Sequence, residues 1–156
     1  MTVKLREVGE GDLPIFFDHQ LEPEATRMAA FLPRDWEAFQ THWKGILGDE
    51  TVVARTILHC GQVVGNIVSF VQSGEREVGY WLGQAYWGQG LATQALAAFL
   101  GEVEERPLYP HAAKHNPASL RVLEKCGFRV VGEDPAFSTV GVERIDGLIL
   151  RLDARL

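Results

Sequence analysis

Gly88 and Gly90 stand one residue apart in the stretch YWGQGLATQA, residues 86–95, just ahead of an alanine-rich helical pattern. The first turn of a helix leaves its N–H groups unpartnered, and the helix dipole adds partial positive charge there. Glycines at that turn let those amides approach a diphosphate with no Cβ in the way. The same residues also suit a plain strand-to-helix turn that needs positive φ. Two nucleotide motifs do not fit. A Walker loop requires Lys-Ser/Thr after its last glycine, whereas Leu91 and Ala92 follow Gly90. A dinucleotide fingerprint requires glycine or alanine where Thr93 stands, and an acidic residue closing the next strand. That strand, PLYPHAAKH, closes in alanines, lysine and histidine.

The glycine pair must be held by the elements around it. TVKLREV reads as a first strand, and EGDLPIFFDHQ as a short helix with Asp12 as its N-cap and Pro14 in its first turn. EPEATRMAAFLPRD reads as a loop or broken helix bracketed by Pro23 and Pro33. In DWEAFQTHWKGIL, Trp36, Phe39, Trp43 and Ile46 recur at helical spacing behind Asp35. TVVARTILH and QVVGNIVSFV are β-branched runs joined at Cys60-Gly61, a hairpin signal, and REVGYWLG is the next strand.

GLATQALAAFLGEVEE returns to helical spacing through Leu91, Ala95, Phe99 and Val103. PLYPHAA is a short strand. NPASLRVLEKCG is a helix capped by Asn116, with Pro117 in its first turn and Gly127 at its end. FRVVGE and VERIDGLILRL are final strands with DPAFSTVG as the loop between them. The order β-α-α-β-β-β-α-β-α-β-β predicts one α/β (α+β) domain over residues 1–156, with a mixed, mostly antiparallel sheet flanked by helices.

Composition bounds the function. The 156 residues suffice for a core without disulfides or metal. Fifteen basic against 21 acidic residues give a net charge of −6, which argues against nucleic acid as a partner and suits a cationic one. Cys60 and Cys126 form neither a disulfide framework nor metal-ligand spacing, so reduced thiols in a cytoplasm are expected. Charged residues enter before any apolar run develops, no run approaches a membrane span, and neither a secretory signal nor a membrane partner is expected.

Taken in order, three segments resemble the Gcn5-related N-acetyltransferase (GNAT) family. Its coenzyme loop reads Gln/Arg-x-x-Gly-x-Gly/Ala, usually realised as Arg-Gly-x-Gly-x-Gly/Ala. Trp87-Gly88-Gln89-Gly90-Leu91-Ala92 matches at both turn glycines and the final alanine, with Trp87 in place of Arg/Gln. EVGYWL before the loop and HNPASLRVLEKCGF after it have counterparts in the branch that includes the RimJ/RimL ribosomal-protein acetyltransferases. The resemblance runs from about Thr51 to Gly132.

It implies acetyl-CoA as co-substrate, no metal, and a primary amine as acceptor, either a protein N-terminus or a small molecule. A homodimer is one assembly it allows. By the resemblance, the amides of Gly88, Gln89, Gly90, Leu91, Ala92 and Thr93 hold the pyrophosphate, Trp87 belongs to the same loop, and the Trp81-Leu82 backbone pairs with the pantetheine arm. Asn116 is implied at the thioester end; its helix cap is an equal reading.

Acyl transfer to an amine needs an unprotonated amine, a stabilised oxyanion and a proton for the thiolate. Glu77 is the implied general base, against a reading as one more solvated charge in Glu75-Arg76-Glu77. The family's usual acid, a tyrosine in the later helix, falls on Leu123, which cannot donate a proton. Ser119, one turn past Asn116, is the nearest replacement, against a plain surface hydroxyl; thiolate departure without an acid is also acceptable chemistry. Leu123 and Trp87 keep a non-catalytic acyl-CoA-binding module as the alternative. His19, His42, His59, His111 and His115 show no ligand spacing, and both cysteines read as structural. Phe31, Trp36, Phe39 and Trp43 read first as a helix stripe packed on the sheet, and second as the floor of an acceptor pocket.

Overall fold

A computed structural model describes residues 3–29, 33–140 and 143–154 of the chain, so Phe31 lies outside the described residues. Strands β1 (Val3–Glu7), β2 (Val53–His59), β3 (Gln62–Gln72) and β4 (Glu75–Leu82) form one sheet in that order, each neighbour antiparallel. Two tight turns set its registers. Cys60 and Gly61 have φ of +52° and +75°, and Ser73 and Gly74 have +53° and +79°. Positive φ at both central positions gives the turn twist that matches antiparallel strands. Cys60 is therefore an exposed turn residue.

A second sheet has the order β5 (His111–Ala113), β7 (Glu143–Arg151), β6 (Arg129–Val140), again antiparallel. The expected loop over DPAFSTVG is replaced by strand through Val140. The ladder is irregular between Asp134 and Ser138. Pro135, which has no amide to donate, falls inside that irregularity, the kind of place where a strand tolerates proline.

The helices are α1 (Leu13–Gln20), α2 (Pro23–Ala29), α3 (Trp36–Gly48), α4 (Leu91–Glu102) and α5 (Pro117–Lys125). α2 is the element expected as a loop or broken helix. Pro23 opens it at the first position, where a missing N–H costs nothing, and the Thr26 hydroxyl donates to the Pro23 carbonyl at 2.9 Å. The observed order is thus the expected one with a third helix before β2.

The first sheet is covered on both faces. Leu91, Ala95, Leu96 and Phe99 of α4 and Leu123 of α5 pack with Ile57, Val64, Ile67 and Val78 on one side. Phe16 of α1 and Phe39 and Trp43 of α3 pack with Ala54 on the other. Phe39 and Trp43 are thereby core residues, and Trp36 lies half exposed against Phe17 and Phe39.

Asp12 does not cap α1. Its carboxylate accepts from Arg6 (2.7 and 2.8 Å), the Gly9 N–H (2.8 Å) and the buried Thr56 hydroxyl (2.7 Å), tying β1 and β2 to the start of α1. The Arg6 hydrogen bond, seconded by those from Gly9 and Thr56, holds this carboxyl at about 2. Its stabilisation is present in full above the ordinary aspartate range near 4 and is lost as pH falls through about 2. Asp12→Ala strands the Thr56 hydroxyl in the interior. We expect a loss of about 2–3 kcal/mol and a Tm about 5–10 °C lower by calorimetry at neutral pH, the gap narrowing in acid.

Candidate active site

β4 carries the site because its two faces look toward different helices. Val78, Tyr80 and Leu82 point to the α4 and α5 side. Glu77, Gly79 and Trp81 share the α1 and α3 side, since side chains alternate and Gly79 pairs with Val68 of that core. The two sheets part along β4. Among the described residues, Tyr109 N–H to the Arg76 carbonyl (2.8 Å) is a backbone bond that joins them, and beyond Arg76 the outer edge of β4 diverges from β5.

Two cavities occupy this parting. The larger, about 400 Å³, is lined by Tyr80, Trp81 and Leu82 of β4, by Trp87, Gly88 and Gly90 to Thr93, and by Asn116, Ser119, Arg121 and Lys125. Ala25 and Met28 of α2 complete its wall. The smaller, about 180 Å³, lies between Val78–Tyr80 and His111–Ala113, with Leu123 and Phe137 behind. Tyr80, Asn116 and Ser119 line both, so the cavities meet at these three side chains.

At the far end of the larger cavity Gly88 and Gly90 have φ of +75° and +76°, and α4 opens without a side-chain cap. A Cβ at either glycine would meet nothing within 4 Å. Backbone conformation demands glycine here, and the space beside it is free for an incoming group. The Trp87 indole N–H donates to the Leu82 carbonyl at 2.9 Å, pinning the loop to the end of β4 and giving that carbonyl one partner already. Gln89 lies outside the cavity lining and its amide donates to the Ala85 carbonyl at 3.4 Å.

Close backbone approach sets the β4 edge itself. A Cβ on Gly65 would fall 2.2 Å from the Trp81 carbonyl oxygen, so only glycine lets β3 lie this near. The N-terminal helices fasten the same corner: Trp81 Nε1 donates to the His19 carbonyl (3.3 Å), and the Gln84 N–H donates to the Glu22 carboxylate (2.8 Å).

Asn116 caps α5, its Oδ1 accepting from the Ser119 N–H at 3.2 Å, while it lines both cavities. The cap reading is what the structure shows, and the side chain also faces the cavities. His115 Nε2 is 2.8 Å from the Arg27 carbonyl and ties α2 to the same loop. The Tyr80 hydroxyl donates to Ser119 Oγ at 3.4 Å, and burial raises its pKa against the lowering effect of that bond. Leu123 is buried in the core, in keeping with its loss of any acid role. Cys126 sits against the Thr93 carbonyl at 3.7 Å, a contact between α5 and α4.

Glu77 lines neither cavity. Its half-buried carboxylate lies on the opposite face, beside the open space at Gly79, where a Cβ would meet nothing. Burial raises its pKa; His111 opposes this, and Glu75 and Asp134 reinforce it. His111, on the rim of the smaller cavity, is held through Nδ1 by Asp134 at 2.9 Å. Among the described residues, no group of three or more His, Cys, Asp or Glu is arranged to hold a metal ion, and no helix is long and apolar enough to cross a membrane.

The loop residues and Asn116 were legible as a motif. Tyr80, Arg121, Lys125 and Met28 were missed. Tyr80 alternates with Val78 and Leu82 and reads as core. Arg121 and Lys125 follow Ala118 at helical spacing, a signal that could have placed them beside Asn116.

The sheet parted beside a glycine-opened helix defines an α/β fold built around a cleft at one strand edge. The model of the acetyltransferase (GNAT) domain matches residues 2–129, and the chain belongs to that family. No curated protein matches the sequence. Solved structures share the fold. A spermidine N-acetyltransferase from Vibrio cholerae in complex with CoA and spermine has a TM-score of 0.85 at 15% identity, with 97% of this chain and 95% of that one covered. A GNAT-family acetyltransferase from Bacillus anthracis has 0.82 at 19%, covering 98% and 95%. Mycobacterium smegmatis RimJ, in complex with a CoA disulfide, has 0.81 at 21%, covering 97% and 82%.

Proposed function

We propose that the protein, as one domain over residues 1–156, transfers acetyl from acetyl-CoA to a primary amine by direct attack in a ternary complex. The observation that carries this reading is the meeting of the two cavities at Tyr80, Asn116 and Ser119. The larger suits the coenzyme. Uncapped amides at the start of α4, with Arg121 and Lys125 on its wall, match an anionic diphosphate, and β4, an edge strand of its sheet, borders the same cavity at Trp81 and Leu82, where an amide-bearing arm would lie. On this reading the thioester lies at the junction, and the smaller cavity and the Gly79 face are left for the acceptor.

Glu77 is the general base on this account, acting from the acceptor face directly or through water, with its proton affinity raised by burial. Ser119, at the junction, contacts the thioester end. The acidic surroundings of the acceptor face, Glu75, Glu77 and Asp134, favour a cationic amine. The YWGQGLAT form supports a RimJ/RimL-type acceptor, a protein N-terminus, and the fold shared with a spermine-bound enzyme supports a polyamine. Cys60 and Cys126, neither of them in a disulfide, suit a cytoplasmic setting.

Thiol release from acetyl-CoA, followed with spermidine and with peptides bearing free N-termini, tests the reading. Acetylated product from one class and not the other selects the acceptor. Tight coenzyme binding with no product from any amine would make the protein a non-catalytic acyl-CoA-binding module instead.

A further inference from the structure

We infer that Tyr80 is the group that protonates the departing coenzyme thiolate, in place of the tyrosine that Leu123 lacks. The inference rests on the acetyl-transfer reading above. The junction of the two cavities holds three polar side chains, Tyr80, Asn116 and Ser119. Asn116 is committed through Oδ1 to the Ser119 N–H and carries no acidic proton. A serine hydroxyl is a poor acid, far weaker than a phenol near 10. Tyr80 is thus the one group of the three whose acidity approaches that of a thiol.

Its geometry suits the role. The hydroxyl stands 3.4 Å from Ser119 Oγ, a long bond that leaves the phenolic proton free to turn toward a closer acceptor. The ring packs against the core that contains Val78, Leu96 and Leu123, which fixes its direction. Burial keeps the phenol protonated at neutral pH. Tyr80 points to the α4 and α5 face of β4, and Glu77 to the α1 and α3 face. Base and acid therefore approach the reacting carbon from opposite sides of one strand.

The neutral amine forms the C–N bond, the C–S bond breaks, and the sulfur takes the Tyr80 proton. The nitrogen gives its surplus proton to solvent by way of Glu77, and Tyr80 regains one from solvent through Ser119. Amine and thioester become amide and thiol with no net change in protons.

Hydroxylamine isolates this half of the reaction, because it is already unprotonated at neutral pH and needs no base. With acetyl-CoA and hydroxylamine, Tyr80→Phe is expected to lower turnover about 10–100-fold, at or below the usual gain from general acid catalysis because thiolates leave readily. The Glu77→Gln defect should largely vanish with the same nucleophile. A second readout needs no turnover: the thiol of bound coenzyme A, titrated by thiolate absorbance, should have a higher pKa in Tyr80→Phe than in wild type. A hydroxyl with a purely structural role moves neither.

Wild-type turnover together with equal turnover and an equal thiol pKa in the variant overturns the Tyr80 role and leaves acetyl transfer standing. A wild-type protein that neither binds acetyl-CoA nor speeds thiol release overturns both. Should Tyr80→Phe fail to fold, 3-fluorotyrosine at position 80 retains the ring and hydroxyl. Its more acidic phenol must then shift the bound thiol pKa, and no shift rejects the inference.

Discussion

Glu77→Gln is expected to lower turnover on protonated amines by roughly 10²–10⁴-fold while leaving acetyl-CoA affinity unchanged. The substitution keeps size and hydrogen-bonding capacity and removes only the ability to accept a proton. Coenzyme affinity is spared because Glu77 lies on the face of β4 away from Tyr80 and Ser119 and lines neither cavity. Its raised pKa gives the pH dependence a sign. A protonated carboxyl cannot act as base, so kcat/KM falls as pH drops through a value above the ordinary glutamate range. Initial rates across pH should show that acid limb in wild type and lack it in the glutamine variant. Equal rates in both would remove Glu77 from the mechanism.

Gly90→Val is expected to weaken acetyl-CoA binding by about 100–1,000-fold, roughly 3–4 kcal/mol. Two effects combine. Valine at φ +76° places a β-branched side chain in the left-handed region, which costs about 1–2 kcal/mol and tilts the amides that open α4. Its methyl groups also fill space that no protein atom now occupies. Gly61→Val serves as a control, since Gly61 has nearly the same φ, +75°, in a hairpin turn with equally open space around it. Strain alone predicts comparable losses of stability in both variants; only the Gly90 variant should lose the coenzyme. Equal affinity in wild type and Gly90→Val would mean that these glycines merely turn the chain.

Much of this site was legible because it is local in sequence. Gly-x-Gly before a helical pattern and Asn-Pro at the head of another each encode a backbone conformation within a few residues. The hairpin at Cys60-Gly61 was readable for the same reason. What escaped the sequence depends on partners distant in the chain. Asp12 looks like a cap until Arg6 and Thr56 claim its carboxylate. DPAFSTVG looks like a loop because proline and serine disfavour strands, and β7 overrides them with a bulged ladder. Gly65 is silent until the Trp81 carbonyl is placed against it, and Tyr80 is one more apolar alternation until α5 brings Ser119 to its hydroxyl. The acceptor is the least legible part. A spermine-bound enzyme and RimJ share this fold with the chain at 15% and 21% identity, so the choice between amines rests on side chains around the acceptor face.

On the proposed function, the cleft beside β4 binds an acyl-coenzyme. Calorimetric titration of the protein with acetyl-CoA, with NADH as a parallel diphosphate-bearing control, tests it most directly. Saturable one-site heat with acetyl-CoA, none with NADH, and loss of the acetyl-CoA signal in Gly90→Val are the expected results. Absence of acetyl-CoA binding in the wild-type protein, or equal binding of NADH, would contradict it.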